Sequence, residues 1–580
     1  MKLRNIAIAG MVSVTLFSCK DLDEYNPSGS TAEAVWTTPE GFVTLVNSAY
    51  QQQRNWYGKE DGVFMSESGT DLWYNSDKGS YAAQLTQYAG LGAATGNPNR
   101  AAWTLLWRGI NQCNAGINRI DQAGFTNEAE KNKRLAELRF MRAFYYWHVV
   151  ETYGGVMLRT EETNDPAGVL TATRSSVPEF YELILSDLQF ASENLPLKKD
   201  WGNEYSRASK QAALGFMARA YLSRAYYATG AERADLFTKA RNTANEVISK
   251  KGEFGVELWA NYADMWKPAN NKGNKEALYV ISNSSNFGLN VDPNGNRLYQ
   301  VFQAPYNGKP GLERDLANGY ESSRRLMSSL HLLDLFDATK DARYNASFQE
   351  VWIANKDYTW TAADVAAYGK NADMVGKQIK VGDTAMVATK DVIANKAEKR
   401  YVVFDRNDVY NANGTIVNGR NYVNMKKFMD PDRTNANAQP GFKDVIVMRL
   451  AEMYLISAEA EMQLGNNGAA AEMINVLRRR AAVKAPTDMT AQMLVTASDI
   501  NTEFILDERA RELAGEHIRW FDLKRMLGSG TDGSAFAAYI RENNPDIVEV
   551  RNHHILRPIR QEELNSLLNG AEFGQNPGYN

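Results

Sequence analysis

Leu135 to Thr152 is the stretch that most constrains how this chain can fold. Phe140, Met141, Ala143, Phe144, Tyr145, Tyr146, Trp147, Val149 and Val150 predict a helix with almost no polar face. A helix that is apolar all round has no side to show to water, so other elements must enclose it in a large core. Gly154-Gly155 ends it, since glycine takes the backbone conformation that closes a helix. A chain of 580 residues can build that enclosure as one large domain or a few smaller ones.

The surrounding pattern supplies more helices. Thr38-Pro39-Glu40 opens one that runs to about Gln53 with Phe42, Leu45, Val46 and Ala49 on one face. Trp103 to Ile120 is helical, and 56–100 between them reads as irregular. Two helix pairs then share a design: Ser206–Thr229 with Glu232–Ser249 across a stop at Gly230, and Val447–Leu464 with Gly468–Ala482 across Gly465. Their links are a few residues long, so partners must be antiparallel. Small residues such as Ala212, Gly215, Ala451 and Ala458 let the partners approach closely. No sustained period joins the pairs, so they read as scattered rather than as a solenoid. Residues 283–320 and 345–440 are rich in Asn, Gly, Asp and Tyr, with short β pieces such as Tyr401-Val402-Val403-Phe404, and read as functional insertions carried by the helices.

The start of the chain reads as an export signal. Lys2 and Arg4 precede an apolar run from Ile6 to Phe17 of about 12 residues, too short for a bilayer, which needs roughly 20. Leu16-Phe17-Ser18-Cys19 is a lipobox, so cleavage after residue 18 is expected to leave Cys19 as a lipid-carrying N-terminus. The acidic cluster Asp21-Leu22-Asp23-Glu24 resembles the signal that places lipoproteins on the outer face of the outer membrane. The expected divisions are a signal peptide at 1–18, a lipidated tether at 19–34, an N-terminal helical region at 35–250, loop-rich insertions with the ligand face at 251–440, and a C-terminal region at 441–580.

Several functions are disfavoured. Removing Lys2 and Arg4 moves the formal charge from −4 to −6, and no basic stripe appears, so nucleic acid is not an expected partner. Cys113 is the only thiol besides Cys19 and reads as a small apolar filler. The five His (148, 331, 517, 553, 554) have no metal spacing; His553 and His554 are adjacent, and neighbours on a strand point apart. Gly-x-Ser-x-Gly, His-Glu-x-x-His and Gly-x-x-x-x-Gly-Lys are absent, so no enzyme is expected. Asp292-Pro293-Asn294-Gly295-Asn296 faintly resembles a calcium loop, but its twelfth position is Gln303, where a bidentate Glu is needed, so a turn is the reading. No cofactor is expected.

Four segments together resemble the SusD/RagB family of outer-membrane nutrient-binding lipoproteins. They are Ala136-Glu137-Leu138-Arg139-Phe140-Met141-Arg142-Ala143-Phe144-Tyr145-Tyr146 through Tyr153-Gly154-Gly155, and Arg449-Leu450-Ala451-Glu452-Met453-Tyr454-Leu455-Ile456-Ser457-Ala458-Glu459-Ala460. Further on come Asp507-Glu508-Arg509-Ala510-Arg511-Glu512-Leu513 through Gly515-Glu516 to Arg519-Trp520-Phe521-Asp522-Leu523-Lys524-Arg525, and Leu556-Arg557-Pro558-Ile559 with Gln575-Asn576-Pro577-Gly578-Tyr579. Arg560 stands where the family usually has a second Pro. The resemblance implies a mainly α fold: a SusD-like helical frame with four tetratricopeptide-like helix pairs and a loop-rich ligand face. It implies capture of oligosaccharides at the cell surface, and a SusC-like, TonB-dependent outer-membrane transporter as partner. Within the third segment, Glu508 with Arg511 and Asp522 with Arg525 are three apart and should pair on a helix surface, Trp520 should be core, and none should touch a glycan.

Sugar recognition needs an exposed ring for the apolar C–H face of a pyranose and polar groups for its hydroxyls. Asp71, Trp73, Tyr74 and Asn75 supply both in one stretch, in the region where the family tends to place ligand contacts. Arg100 adds a polar candidate, and the insertions add Tyr306, Tyr320, Trp352 and Trp360. Glycan capture without catalysis is the leading reading. Peptide capture, a scaffold subunit of the transport complex, and a surface glycosidase are the alternatives.

Overall fold

The computed structural model describes residues 35–76, 81–163, 170–286, 289, 295–319 and 325–579. Cys19 with its lipobox and tether, Asp292 to Asn294, and Tyr320 lie outside the described residues. Helix α1 (Pro39–Gln51) starts where expected, with the Thr38 hydroxyl accepting from the Gly41 amide at 3.1 Å. The region 56–100 is more ordered than its composition implies: it holds α2 (Glu60–Ser66), strand β1 (Trp73–Asn75) and a further helix, Tyr81–Thr86. Helix α3 is Asn99–Arg119. The apolar helix α4 (Glu128–Tyr153) begins two turns earlier than predicted, because the Asn127 side chain caps the amides of Ala129 and Glu130. Gly154, at φ 73°, closes it.

Helices α5 (Val177–Asn194), α6 (Lys210–Ala225) and α7 (Gly230–Ser249) follow. Strand β2 (Ala277–Ile281) opens the long insertion and strand β3 (Leu326–Ser328) lies inside it. Three more insertion strands are β4 (Val351–Ile353), β5 (Thr384–Ala388) and β6 (Val402–Phe404), and β7 (Val445–Arg449) closes it. Helices α8 (Leu450–Gln463), α9 (Asn467–Ala481), α10 (Thr502–Leu513) and α11 (Arg519–Leu527) complete the frame, with α12 (Gln561–Ser566) near the C-terminus. About 51% of the chain is helical and the sheets are small, so the fold is mainly α.

The helix pairs are scattered in sequence and continuous in space. Helix α1 packs on α3, and each helix from α3 to α9 packs on the next. These eight helices make four pairs. The step from α7 to α8 skips 200 residues of sequence, and β2 pairs antiparallel with β7 to zip the insertion's two ends together at that step. Two boundaries differ from expectation. Residues 447–449 are the end of β7, because the β-branched run pairs with β2. Gly230, expected as a stop, is the first residue of α7, at φ 55°. Close packing of α3 on α4 rests on glycine: a Cβ at Gly109 would lie 2.6 Å from the Tyr145 ring.

The polar residues of the four segments hold these helices from inside. Arg142 on α4 makes a bidentate pair with Asp187 on α5 at 2.8 and 3.0 Å. Arg219 on α6 grips Glu452 on α8 at 2.9 and 2.7 Å, and Arg525 on α11 grips Glu459 on α8 at 2.8 Å. Glu508–Arg511 and Asp522–Arg525 pair at 2.9 and 2.8 Å as predicted, but within the protein rather than on a solvated helix surface. Trp520 is fully buried. Buried charges persist only when paired and hydrogen-bonded, and this lattice meets that condition. Cys113 is buried with its pKa raised by desolvation. His553 and His554 occupy a 3-10 turn, Asn552–Ile555, with rings 4.2 Å apart, not a strand.

The insertion has its own small core of Tyr306, Leu312, Trp352, Trp360, Met386 and Val402 among others. There β4 runs antiparallel to β5, and β5 parallel to β6. Among the described residues, no helix is long and apolar enough to cross a membrane.

Candidate functional site

Most of the sugar-binding candidates lie in the core. Trp73 is fully buried; its Nε1–H donates to Glu67 at 2.9 Å, and its ring lies 4.5 Å from that of Phe302. Glu67 also accepts from the amides of Gly515, Ile518 and Arg519, so it caps the start of α11. Asp71 pairs with Arg519 at 2.9 and 2.5 Å and lies 3.3 Å from His331; Arg519 holds its carboxyl well below the usual range despite burial. The Tyr74 hydroxyl donates to the Gly414 carbonyl at 2.7 Å, and Asn75 is buried beside it on β1. Tyr306 donates to the carbonyls of Asp315 and Gly319, and Trp360 to that of Arg400 at 2.8 Å. Trp352 is fully covered.

These placements correct the sequence reading of Asp71, Trp73, Tyr74, Asn75, Tyr306, Trp352 and Trp360. A covered ring offers no face to a sugar. The mixture of rings and polar groups that resembled a binding rim is an interior stretch whose polar atoms pair within the protein. Strand β1 pairs with β3, and all three of its residues are buried. Arg100 differs: it is exposed and lines a cavity of about 640 Å³.

That cavity shares Thr104 and Arg108 with a second one of about 490 Å³, so the two adjoin along the outer face of α3. From Arg100 to Asn114 the groove follows α3 for about 21 Å, at 1.5 Å per residue. One half is aromatic. Trp107 is half-buried there, its ring 5.7 Å from Trp103 and edge-on to Tyr146 at 6.2 Å. Its indole N–H finds no acceptor among the described residues. Residues 157–163 form the facing wall. Asn111 exchanges hydrogen bonds with the Thr163 backbone at 3.1 and 2.7 Å, and Asn114 donates to the Arg159 and Glu161 carbonyls. Glu563 and Ser566 of α12 close the third side.

The other half is basic. Arg297, Arg325 and Lys59 join Arg100 and Arg108 around it. Arg325 meets Glu60 at 3.1 Å, Arg297 donates to Gln439 at 2.6 Å, and the Lys59 ammonium donates to the Gly295 carbonyl. Burial, with help from the neighbouring Glu60, pushes the Asp61 carboxyl up to about 6.

A third cavity of about 570 Å³ lies between α1 and β2. Its ring Tyr50 is stacked under the Arg207 guanidinium at 5.8 Å and donates to Glu137 at 2.7 Å, so its ring is already engaged. That cavity also combines rings, Tyr50 and the buried Tyr279, with amides and ionic groups; the α3 groove is set apart by Trp107, a half-buried ring whose indole N–H has no acceptor among the described residues. Sequence reading missed Trp107, Arg108 and Asn111. The available signal was periodicity: 100, 104, 107, 108 and 111 recur at helical spacing on the polar face of α3, and a Trp at the edge of a polar stripe packs on the core with only part of its ring.

Among the described residues, no cluster of three or more His, Cys, Asp or Glu is arranged to hold a metal ion.

A family model described as the SusD family matches residues 282–579, and one described as starch-binding associating with outer membrane matches 22–222. The chain is 26% identical to SusD-like protein P2 of Formosa agariphila over 98% of both chains. It is 24% identical to the starch-binding protein SusD of Bacteroides thetaiotaomicron over 75% of this chain and 74% of that one. Among solved structures, a laminarin binding SusD-like protein superposes with a TM-score of 0.65 at 19% identity, covering 93% of this chain and all of that one. Surface glycan-binding protein A from Bacteroides fluxus gives 0.65 at 20% identity with the same coverage.

Proposed function

The chain belongs to the SusD family, and from that premise we propose that it is a cell-surface glycan-binding lipoprotein that captures oligosaccharides in the α3 groove and hands them to a SusC-like TonB-dependent outer-membrane transporter, with no reaction of its own. The observation that carries the binding site is Trp107. Its ring is half-exposed in a groove whose walls present Asn111, Arg108, Arg159 and Glu161. A pyranose stacks its C–H face on such a ring while its hydroxyls meet the polar rim. The names of relatives and structural neighbours, starch-binding, laminarin binding and surface glycan-binding, support a carbohydrate as the ligand class. A lipid on Cys19 would hold the folded part at the membrane that carries the transporter.

Isothermal titration of the purified protein against a panel of neutral and acidic oligosaccharides tests this. At least one should bind, and Trp107→Ala should weaken it by about 2 kcal/mol, roughly thirtyfold, the loss typical of a Trp at the centre of a contact. Absence of binding by a folded protein, or unchanged affinity in the variant, would refute the assignment. Co-purification with an outer-membrane barrel from the native membrane tests the delivery step.

A further inference from the structure

We infer that a small monovalent anion, chloride in ordinary media, is bound in the core between Arg557, Trp520 and Tyr88. The site is separate from the α3 groove and does not depend on what the groove holds.

Other fully buried arginines show what burial requires. Arg343, Arg449, Arg509, Arg519 and Arg525 each meet a carboxylate, at 2.5–2.8 Å. Arg557 is equally covered and meets no carboxylate among the described residues; its Nε, Nη1 and Nη2 are buried without a hydrogen-bond partner. An arginine cannot escape by shedding its proton, as a buried lysine can. Its charge therefore needs a counter-charge.

The surroundings add a further donor and no free acceptor. Trp520 is also fully buried, and its indole N–H has no partner. The Arg557 guanidinium lies 4.5 Å from the centre of the Trp520 ring and 5.5 Å from that of Tyr88. Ring faces attract the charge but accept none of the in-plane N–H groups. One oxygen lies nearby. Burial pushes the pKa of the Tyr88 hydroxyl up, and Arg557 and Trp520 both act against the rise, so both approach that oxygen. The hydroxyl donates its own proton to the Gly69 carbonyl at 2.8 Å. Its two lone pairs cannot serve the five N–H groups of a guanidinium and the one of an indole. His554 stacks on the Tyr88 ring at 4.5 Å, but the lone pair of its Nδ1 takes the Arg551 amide at 3.0 Å.

Converging donors, one positive charge and no free acceptor define an anion site. A water molecule could accept N–H bonds there but would leave the charge unanswered. One guanidinium balances one negative charge, and full burial excludes a bulky ion. Tyr88 adopts a left-handed backbone, φ 61°, that a tyrosine rarely takes, so the fold bears strain to keep its ring in this place. Tyr88 follows the helix Tyr81–Thr86, Trp520 is on α11, and Arg557 precedes α12. The anion thus ties together three segments that are distant in sequence.

Two measurements on the purified protein test this: anomalous diffraction from crystals grown in sodium bromide, and a melting series in which sodium chloride replaces sodium gluconate at constant ionic strength. A bromide peak should lie in contact with Arg557 and the Trp520 Nε1. Chloride should raise the melting temperature saturably, by about 2 °C at a hundredfold excess over Kd for a chain of this length. Arg557→Met keeps much of the bulk without the charge and should abolish that rise. Trp520→Phe removes one donor and should weaken the apparent chloride affinity roughly tenfold. If Arg557→Met does not fold, the bromide map and Trp520→Phe decide the matter. An ordered water in place of a bromide peak, no peak at these residues, or a chloride response equal in the wild type and the folded variants overturns the inference.

Discussion

Replacing Trp73 with Phe separates a core role from a ligand role. The variant keeps a ring against Phe302 and removes the Nε1–H that donates to Glu67 at 2.9 Å. A hydrogen bond to a charged partner contributes about 1.5–3 kcal/mol, and the missing fused ring leaves a void costing about 1 kcal/mol more. At an unfolding entropy near 2 cal/mol/K per residue, a core of this length should melt about 2–3 °C lower. The pH dependence makes the test specific. Burial pushes the Glu67 carboxyl up to about 7 from an ordinary 4.5, opposed by the donors from Trp73, Ile518, Arg519 and Gly515. The folded protein then keeps a proton that the unfolded chain releases between about pH 4.5 and 7. Stability falls through that window by roughly 3 kcal/mol and levels off above it. Removing one donor raises the folded pKa further, so the variant should keep losing stability above pH 7, where the wild type has levelled. Urea unfolding at pH 6 and 8.5, with glycan titration on the same samples, reads both effects. An equal deficit at the two pH values would refute the Glu67 coupling. Weakened binding with unchanged melting would return Trp73 to the ligand site.

Three other outcomes are expected. Arg449 donates to Glu276, Glu512 and Glu516 at 2.7–3.0 Å, so Arg449→Met strands buried carboxylates and should cost about 3–5 kcal/mol in chemical unfolding; a loss under 1 kcal/mol would mean the cluster is relaxed or wet. Arginine neighbours hold Glu508, Glu512 and Glu516 below the usual glutamate range, so their stabilisation is complete above about pH 4.5 and is lost as pH falls through the lower folded values; a melting point flat from pH 5 to 3 contradicts this. Cys19→Ala should leave glycan affinity unchanged and remove the protein from the outer-membrane fraction; retention there would show a different anchor.

The sequence made the frame legible because helices announce themselves by period and punctuation. The apolar run in α4 could only be interior, and the caps at Thr38 and Gly154 lie where the chain suggests. The order of the helices in space was hidden. Nothing between Ser249 and Leu450 in sequence says that α7 and α8 touch, since that contact is made by β2 pairing with β7 across the insertion. The candidate site was misread for a related reason. Asp71 and Trp73 have the residue types of a sugar rim, but their partners, Arg519 and Glu67, are distant in sequence or off the strand, and only folding brings them together. A polar residue beside a ring looks the same on paper whether it faces water or a buried partner. Helical phase distinguishes the two cases better, and it singles out Trp107.

Helix α3 shows why that phase matters. Its buried face includes Trp103, Leu106, Gly109, Ile110 and Cys113, and packs on α1 and α4. Its outer face carries Arg100, Thr104, Arg108 and Asn111 into the groove. Adjacent residues should therefore answer substitution in opposite ways. Arg108→Ala removes an exposed charge and should change stability by less than about 0.5 kcal/mol while weakening glycan affinity. Gly109→Ala places a methyl group 2.6 Å from the Tyr145 ring. That ring cannot swing aside freely, because its hydroxyl donates to the Ala49 carbonyl on α1 at 2.5 Å. The backbone of α3 must shift instead, at a cost of about 1–3 kcal/mol. Because the shifted helix is also the floor of the groove, affinity should fall with stability. A Gly109→Ala protein that melts lower yet binds as tightly as the wild type would place the ligand somewhere other than α3.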